Sequence, residues 1–262
     1  MSETFDISPE QAEIYEQRFV PALFAQLAPW LVDEVGVREA TAVLDVACGT
    51  GIVSRTVADR IGAGCVTGVD LNEAMLTVAR RLRPDVVWRH GDVADLPFAD
   101  STFNTVLCQS AMMFFPDATR ALVEMARVAE TGGAVGVQVF NRLDEQRAYG
   151  PWIEMVARHA GPEALNLLGT YWVHGDLDAL SGRFAGAGLG VDATLTREFV
   201  LAFDSIESFV RTEIGATPLL DRLTDGQFRA ILDGSERVLG RFAADGHAAI
   251  PIAAQIVIGR KP

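Results

Sequence analysis

The chain has 262 residues, 49% of them hydrophobic and 22% charged, and a formal net charge of −13. That charge repels nucleic-acid phosphate, and no apolar run approaches the ~20 residues of a bilayer span. The three cysteines, Cys48, Cys65 and Cys108, are widely spaced without histidine partners, which excludes a disulfide framework or a zinc site and suits a reducing cytoplasm.

The opening residues, MSETFDISPE, are acidic and polar and do not read as a signal peptide. Ser8-Pro9-Glu10-Gln11 predicts a helix start, with Ser capping, Pro in the first position and Gln11 closing a capping box. Pro21 is expected to interrupt or restart that helix, with Tyr15 and Phe19 just before the break. Leu23, Phe24, Leu27 and Leu31 then keep helical spacing. From residue 42 short strands alternate with helices. Strands are predicted at 42–46, 65–69, 86–88, 103–108 and 134–140. Helices are predicted at 52–61, from an Asn72 cap to about Arg81, and from an Asp117 cap through Val128. That alternation implies a parallel sheet covered on both faces.

After Phe140 the rhythm lapses. Residues 146–170 read as helical, with Trp152, Ile153, Val156, Leu165 and Leu168 as packing positions. A helix capped near Asp176 follows, then a strand at 191–203, mostly helix over 204–244, and a final strand in IPIAAQIVIG. With no repeat or flexible linker, a single domain over 1–262 is expected. Residues 1–35 would form a helical cap, 36–140 a cofactor core, 141–190 an acceptor lid, and 191–262 the remaining strands and helices.

The chemistry concentrates at strand ends, where open parallel sheets bind ligands. The turn in VLDVACGTG, residues 43–51, carries Gly49 and Gly51, which let backbone approach a ligand closely. The same turn would serve a pyrophosphate at a helix N-terminus. In GVDLNEAML, Asp70 ends the second strand, where a carboxylate can accept both hydroxyls of a ribose; a helix-capping or solvated Asp is the alternative. Asp92, in HGDVADLPF, can accept from an adenine amino group. In VLCQSAMMFFPD, Cys108–Ser110 would line the cleft, with Phe114 and Phe115 nearby.

Asp45-x-Ala47-Cys48-Gly49-Thr50-Gly51, Gly68-Val69-Asp70, Gly91-Asp92 and CQSAMMFFPD together resemble class I S-adenosylmethionine-dependent methyltransferases, most closely the UbiE-like small-molecule group, over about residues 40–140. YEQRFVPALF and IPIAAQIVIG are similar to bacterial members of that group. The resemblance implies an α/β, Rossmann-like seven-stranded sheet with its last strand antiparallel, helices on both faces and a helical lid. It also implies S-adenosyl-L-methionine as cofactor. Asp45 would support the turn and the cofactor's ammonium, and Ala47, Cys48, Gly49 and Gly51 would let the methionyl portion lie against backbone. Asp70 would hold the ribose, with Leu71 and Met75 beside the adenine. Asp92 would take the adenine amino group, flanked by Gly91 and Val93. Gln109 and Ser110 would face the methionyl part, and Tyr15 would close over it. An acidic residue beside the glycines suits a ligand bearing an ammonium and would repel a pyrophosphate.

Methyl transfer from a sulfonium is an in-line displacement that alignment alone accelerates strongly, so a base is optional. His174, in GTYWVHGD, stands where the resembled family leads one to expect an aliphatic residue and is the candidate acceptor base, beside a purely structural reading. His90 reads as structural and His159 and His247 as solvated. Cys48 lacks a histidine partner and is not read as a nucleophile; no metal site is expected. Phe19, Phe114, Tyr149, Trp152, Tyr171 and Trp172 would line a pocket for a flat or hydrophobic small-molecule acceptor. Residues 204–244 would add to the lid or form a subunit contact in a homodimer. Methylation at O, N or C stays open. Two rival readings remain. One is a nicotinamide-dependent oxidoreductase, against which GTGIVS at 49–54 lacks the third glycine of the dinucleotide fingerprint. The other is a non-catalytic S-adenosylmethionine-binding protein.

Overall fold

The computed structural model describes residues 7–38, 41–215 and 217–262. MSETFD, part of the stretch read as no signal peptide, lies outside them. Two compact units emerge: residues 1–139, 177–195 and 256–262 form the first, and 140–176 and 196–255 the second.

In the first unit Ser8 and Gln11 form the expected capping box on α1 (Pro9–Ile14). Pro21 does not end the helical path. The chain widens into a π-helix over Tyr15–Phe24 and returns to α2 (Ala25–Val35), the Ala25 N–H donating to the Val20 carbonyl five residues back. Proline cannot donate to the helical ladder, and a wider turn lets the chain pass it without breaking. The strand–helix alternation then runs as β1 (Val43–Val46), α3 (Ile52–Ile61), β2 (Val66–Asp70), α4 (Glu73–Leu82), β3 (Val87–His90), β4 (Phe103–Gln109), α5 (Ala118–Val128) and β5 (Ala129–Phe140). Asn72 caps α4 through the Met75 N–H, and Asp117 caps α5 through Thr119 and Arg120.

Strands β1 to β5 pair in parallel in the order β3-β2-β1-β4-β5. Period-two alternation sorts their side chains. Leu44, Val46, Val106, Cys108, Val135 and Val137 share one core cluster with Leu122 and Met125 of α5, and with Leu180 and Phe184 of α8 (Leu177–Gly186). Helices α2 and α3 pack on β4 and β1, respectively. Burying the five aliphatic side chains among these strand residues contributes on the order of 10 kcal/mol before entropy is charged against it.

Two long strands extend the order: β6 (Gly190–Phe203) and β8 (His247–Arg260), giving β5-β8-β6. The Gly132 N–H donates to the Lys261 carbonyl and the Lys261 N–H to the Gly133 carbonyl, while the Asn141 N–H donates to Ala253. One strand ascends as the other descends, so β8 is antiparallel to β5. The sheet is therefore the expected mixed, Rossmann-like one. A two-residue strand, β7 (Ala243–Ala244), hairpins onto β8 and makes the eighth.

The second unit holds α6 (Tyr149–Ala160), α7 (Glu163–Gly169), α9 (Ile206–Gly215) and α10 (Asp225–Leu239). Trp152 is fully buried there and donates its indole N–H to Ser235 Oγ at 2.9 Å. Among the described residues no helix is long and apolar enough to cross a membrane, and no cluster of His, Cys, Asp or Glu could hold a metal ion.

Gly51 shows how tightly the β1–α3 turn is fitted. Its φ is +87°, and a Cβ added there would stand 2.3 Å from Trp88 Cη2. Trp88 cannot swing aside freely because its indole N–H is donated to the Arg83 carbonyl at 2.9 Å. A left-handed backbone costs a non-glycine residue ~1–2 kcal/mol, and overpacking adds ~1–3. Gly51→Ala is thus expected to lose about 2–5 kcal/mol of stability in urea unfolding; a loss below about 1 kcal/mol would show that the turn relaxes.

Candidate functional site

The turn after β1 is shaped by three left-handed residues, Ala47 (φ 53°), Gly49 (φ 54°) and Gly51 (φ 87°). Alanine pays for that conformation where glycine would not, and such strain persists only where the surroundings enforce it. They do so here. Cys48 N–H donates to the Val69 carbonyl at 3.0 Å, and Gly51 N–H to the Cys48 carbonyl at 2.8 Å. Gly49 N–H donates to Asp70 Oδ2 at 2.8 Å.

Asp70 is therefore the pin between the two strand ends. Its second oxygen accepts from the Asn72 N–H at 2.8 Å, which also sets the entry to α4. A carboxylate has about four acceptor positions, so two backbone bonds leave each oxygen able to accept once more. Burial pushes its carboxyl above the usual range, against the pull of those backbone bonds.

Asp45 occupies a different place. It lies inside β1, 1% exposed, and Oδ2 accepts from both the Ser54 N–H (2.9 Å) and the Ser54 hydroxyl (2.7 Å). Gly51, the N-cap of α3, offers no side chain. Asp45 supplies the missing cap from the neighbouring strand, at the end of the helix where an anion is favoured. Burial raises its pKa to about 7, with the Ser54 bonds opposing.

The N-terminal helical segment reaches this turn. A Cβ on Gly49 would lie 3.8 Å from Tyr15 Cε1, so the tyrosine ring covers the glycine. Tyr15 stacks on Phe24 at 5.3 Å and on Phe19 at 6.2 Å between centroids. The Glu16–Arg55 ion pair, at 2.9 Å, fastens the same segment to α3. At the end of β4, Gln109 Nε2 donates to the Phe24 carbonyl at 3.4 Å. Ser110, in a left-handed conformation, donates its N–H to the Gln138 carbonyl at 2.9 Å and its hydroxyl to Gln138 Oε1 at 2.5 Å.

On the other side of Asp70, Leu71 leaves 45% of its surface exposed, while Met75 is buried beside Ala12 and Val78. The Gly91 N–H donates to the Asp70 carbonyl at 3.0 Å, which brings the start of the next loop alongside. Asp92 is exposed there and accepts from the Ala94 N–H at 2.8 Å. Val93 packs against the core cluster under α5. The thiols of Cys48 and Cys108 are both pushed up by burial, which disfavours the thiolate a nucleophile needs.

The remaining candidates divide between the units. Phe19 and Phe114 are partly buried in the first. Tyr149, Trp152, Tyr171 and Trp172 lie in the second within one aromatic cluster: Tyr149 stands 5.0 Å from Trp172 and 5.4 Å from Phe209, and Phe140 stands 5.6 Å from Trp172 and 6.4 Å from Tyr171. His174 is partly buried, and its carbonyl accepts from Gln255 Nε2 at 3.5 Å. His90 and His247 are exposed and His159 is intermediate.

Four residues escape a reading of the sequence. Phe24 backs Tyr15. Thr50 is buried with a hydroxyl that has no partner among the described residues, as is Gln109 Oε1. Gln138 holds Ser110, and its one sequence signal is a lone amide inside the apolar strand VGVQVF. Glu213 accepts from the Tyr149 hydroxyl at 2.9 Å.

Residues 43–133 match the family model described as a methyltransferase domain. A demethylmenaquinone methyltransferase of Renibacterium salmoninarum is 40% identical over 112 residues, 42% of this chain and 46% of that protein. The enzyme of the same name from Staphylococcus aureus is 35% identical over 133 residues, 49% of this chain and 50% of that one. The chain spans about half the length of these curated relatives. Among solved structures, phosphoethanolamine N-methyltransferase 2 of Haemonchus contortus, in complex with S-adenosyl-L-methionine, superposes with a TM-score of 0.63 at 16% identity. That match covers all of this chain and 60% of the other. At such identity it speaks for the fold.

Proposed function

We propose, from the premise that residues 43–133 form a methyltransferase domain, that the chain is an S-adenosyl-L-methionine-dependent methyltransferase acting on a small, aromatic or hydrophobic acceptor. The observation that carries this reading is Asp70, pinned by the N–H groups of Gly49 and Asn72 with acceptor capacity left on both oxygens. A carboxylate so placed beside a glycine turn suits the two hydroxyls of a ribose.

The residues fit the cofactor in other respects. Among the described residues Thr50 and Gln109 present buried polar atoms without partners, and the Gly49 backbone has only the Tyr15 ring near where a side chain would be. Leu71 and Met75 would flank the adenine, with Asp92 on its amino group. Gln109 and Ser110 would face the methionyl portion, and Tyr15 would exclude water from it. Asp45 would act on the ligand through the turn it caps. The bound cofactor supplies a methyl group on a sulfonium, with a neutral thioether as leaving group. The chain's own contribution is then alignment and exclusion of water, which can be worth ~7–11 kcal/mol. His174 would serve as acceptor base where the acceptor needs one.

The relatives' names point to a quinone-type acceptor, but the second unit lies wholly outside the residues that match the family model. The test is a calorimetric titration with S-adenosylmethionine, S-adenosylhomocysteine and NADH. Binding of the two sulfur compounds and not of NADH is expected; binding of NADH instead would overturn the reading.

A further inference from the structure

Among the described residues of the second unit, Glu213 is the one carboxyl that is neither exposed nor ion-paired. Glu213, on α9, is partly buried, and among the described residues its hydrogen-bond donor is a neutral phenol, the Tyr149 hydroxyl. It takes part in none of the described ion pairs, whereas acids such as Glu198 and Glu163 in the same unit are paired with arginines. The phenol that donates to it belongs to an aromatic cluster. Tyr149 contacts Trp172 at 5.0 Å and Phe209 at 5.4 Å, and Trp172 and Tyr171 both meet Phe140.

Withdrawing a carboxylate from water is costly unless a counter-charge and donors replace the lost hydration. One phenolic hydrogen bond replaces a small part of it. Burial accordingly raises the Glu213 carboxyl to about 7, and burial together with the Glu213 charge pushes Tyr171 up to about 12. A carboxylate with an unmet demand for positive charge, next to electron-rich tyrosine rings, is the combination that binds ammonium groups. A neutral hydroxyl would add a hydrogen bond but leave the charge unbalanced.

We infer that Glu213, with Tyr149 and Tyr171, binds the ammonium group of a small amine. This site does not depend on the methyltransferase reading. Glu213 is a specificity-determining residue here, and the rings of the cluster provide the apolar wall for the rest of the ligand. Once a cation is bound, the carboxyl is held ionised.

The test compares two probes of matched shape, benzylamine and benzyl alcohol, binding to the full chain by ligand-observed NMR. Wild type is expected to bind benzylamine at least tenfold more tightly than benzyl alcohol. Glu213→Gln is expected to abolish that preference while leaving S-adenosylmethionine affinity unchanged, which also reports that the variant is folded. Tyr149→Phe, which removes only the hydroxyl, should keep most of the preference and serves if the glutamine variant does not fold. Equal binding of the two probes to wild type, binding of neither, or a preference that survives in Glu213→Gln would overturn the inference. An amine preference in a chain that binds no S-adenosylmethionine would instead overturn the methyltransferase reading and leave the amine site standing.

Discussion

Replacing Asp70 with alanine is expected to weaken S-adenosylmethionine binding at least a hundredfold in a calorimetric titration. Two losses add. On the proposed reading the ribose hydroxyls lose a carboxylate acceptor, and hydrogen bonds to charged groups are worth ~1.5–3 kcal/mol each. The Gly49 and Asn72 N–H groups lose the carboxylate that holds both turns in place, so the cradle itself loosens. A hundredfold change corresponds to about 2.7 kcal/mol, less than two such bonds at their midpoint. Asp70→Asn keeps one acceptor oxygen and places a donor where the other stood, so it should fall between. The binding series should be run below the thermal midpoint of each variant, since Asp70 also braces the fold. An alanine variant that is folded and binds as wild type does would remove Asp70 from the ribose.

The sequence revealed most where the determining signals are local. The Ser8–Gln11 box, the Asn72 and Asp117 caps and the Ile52–Ile61 helix each rest on residues within a turn or two of one another, and the structure has them where they were expected. Strand β5 begins earlier than predicted, at Ala129 rather than Ala134, because a register irregularity opposite Phe103–Thr105 lets a glycine-containing stretch join the ladder. Pro21 misled for a related reason. A missing N–H is visible in the sequence, but the widening into a π-helix that leaves Val20 and Phe24 buried is not.

The site divides in the same way. The positions of Gly49, Asp70 and Asp92 follow from strand ends, and strand ends are legible. The partner of each side chain is not. Asp45 is expected to support the turn and a cofactor ammonium, but nothing near it names Ser54, nine positions on and across the turn, as the donor of both bonds to its Oδ2. Glu213 and Tyr149 are 64 positions apart, and neither neighbourhood hints at the other.

Asp45 also makes stability depend on pH in a direction that tests its burial. Two influences oppose one another. The α3 N-terminus and the two Ser54 bonds favour the carboxylate, and burial to 1% exposure favours the neutral acid. Burial is the larger, and the folded pKa stands at about 7 against 3.8 for an unperturbed aspartate. A raised folded pKa means that the folded chain holds the proton more tightly than the unfolded one. Stability from this group is therefore full below the unfolded value and is lost as pH rises through the folded value. Glu213, raised to about 7 from 4.5, acts in the same sense. Between pH 5 and pH 8 the wild-type chain is expected to lose stability, with each such acid contributing at most on the order of 1 kcal/mol per pH unit inside its window. Asp45→Asn keeps an acceptor for the Ser54 N–H and cannot ionise, so its urea midpoint should fall less over that range, with roughly 2 kcal/mol of the wild-type loss removed. If the carboxylate were instead held ionised by the helix end, wild-type stability would rise with pH through the acid range, and the asparagine variant would be the weaker protein at pH 8. The pH slope of the unfolding free energy in the two proteins decides between a buried neutral acid and a charged cap.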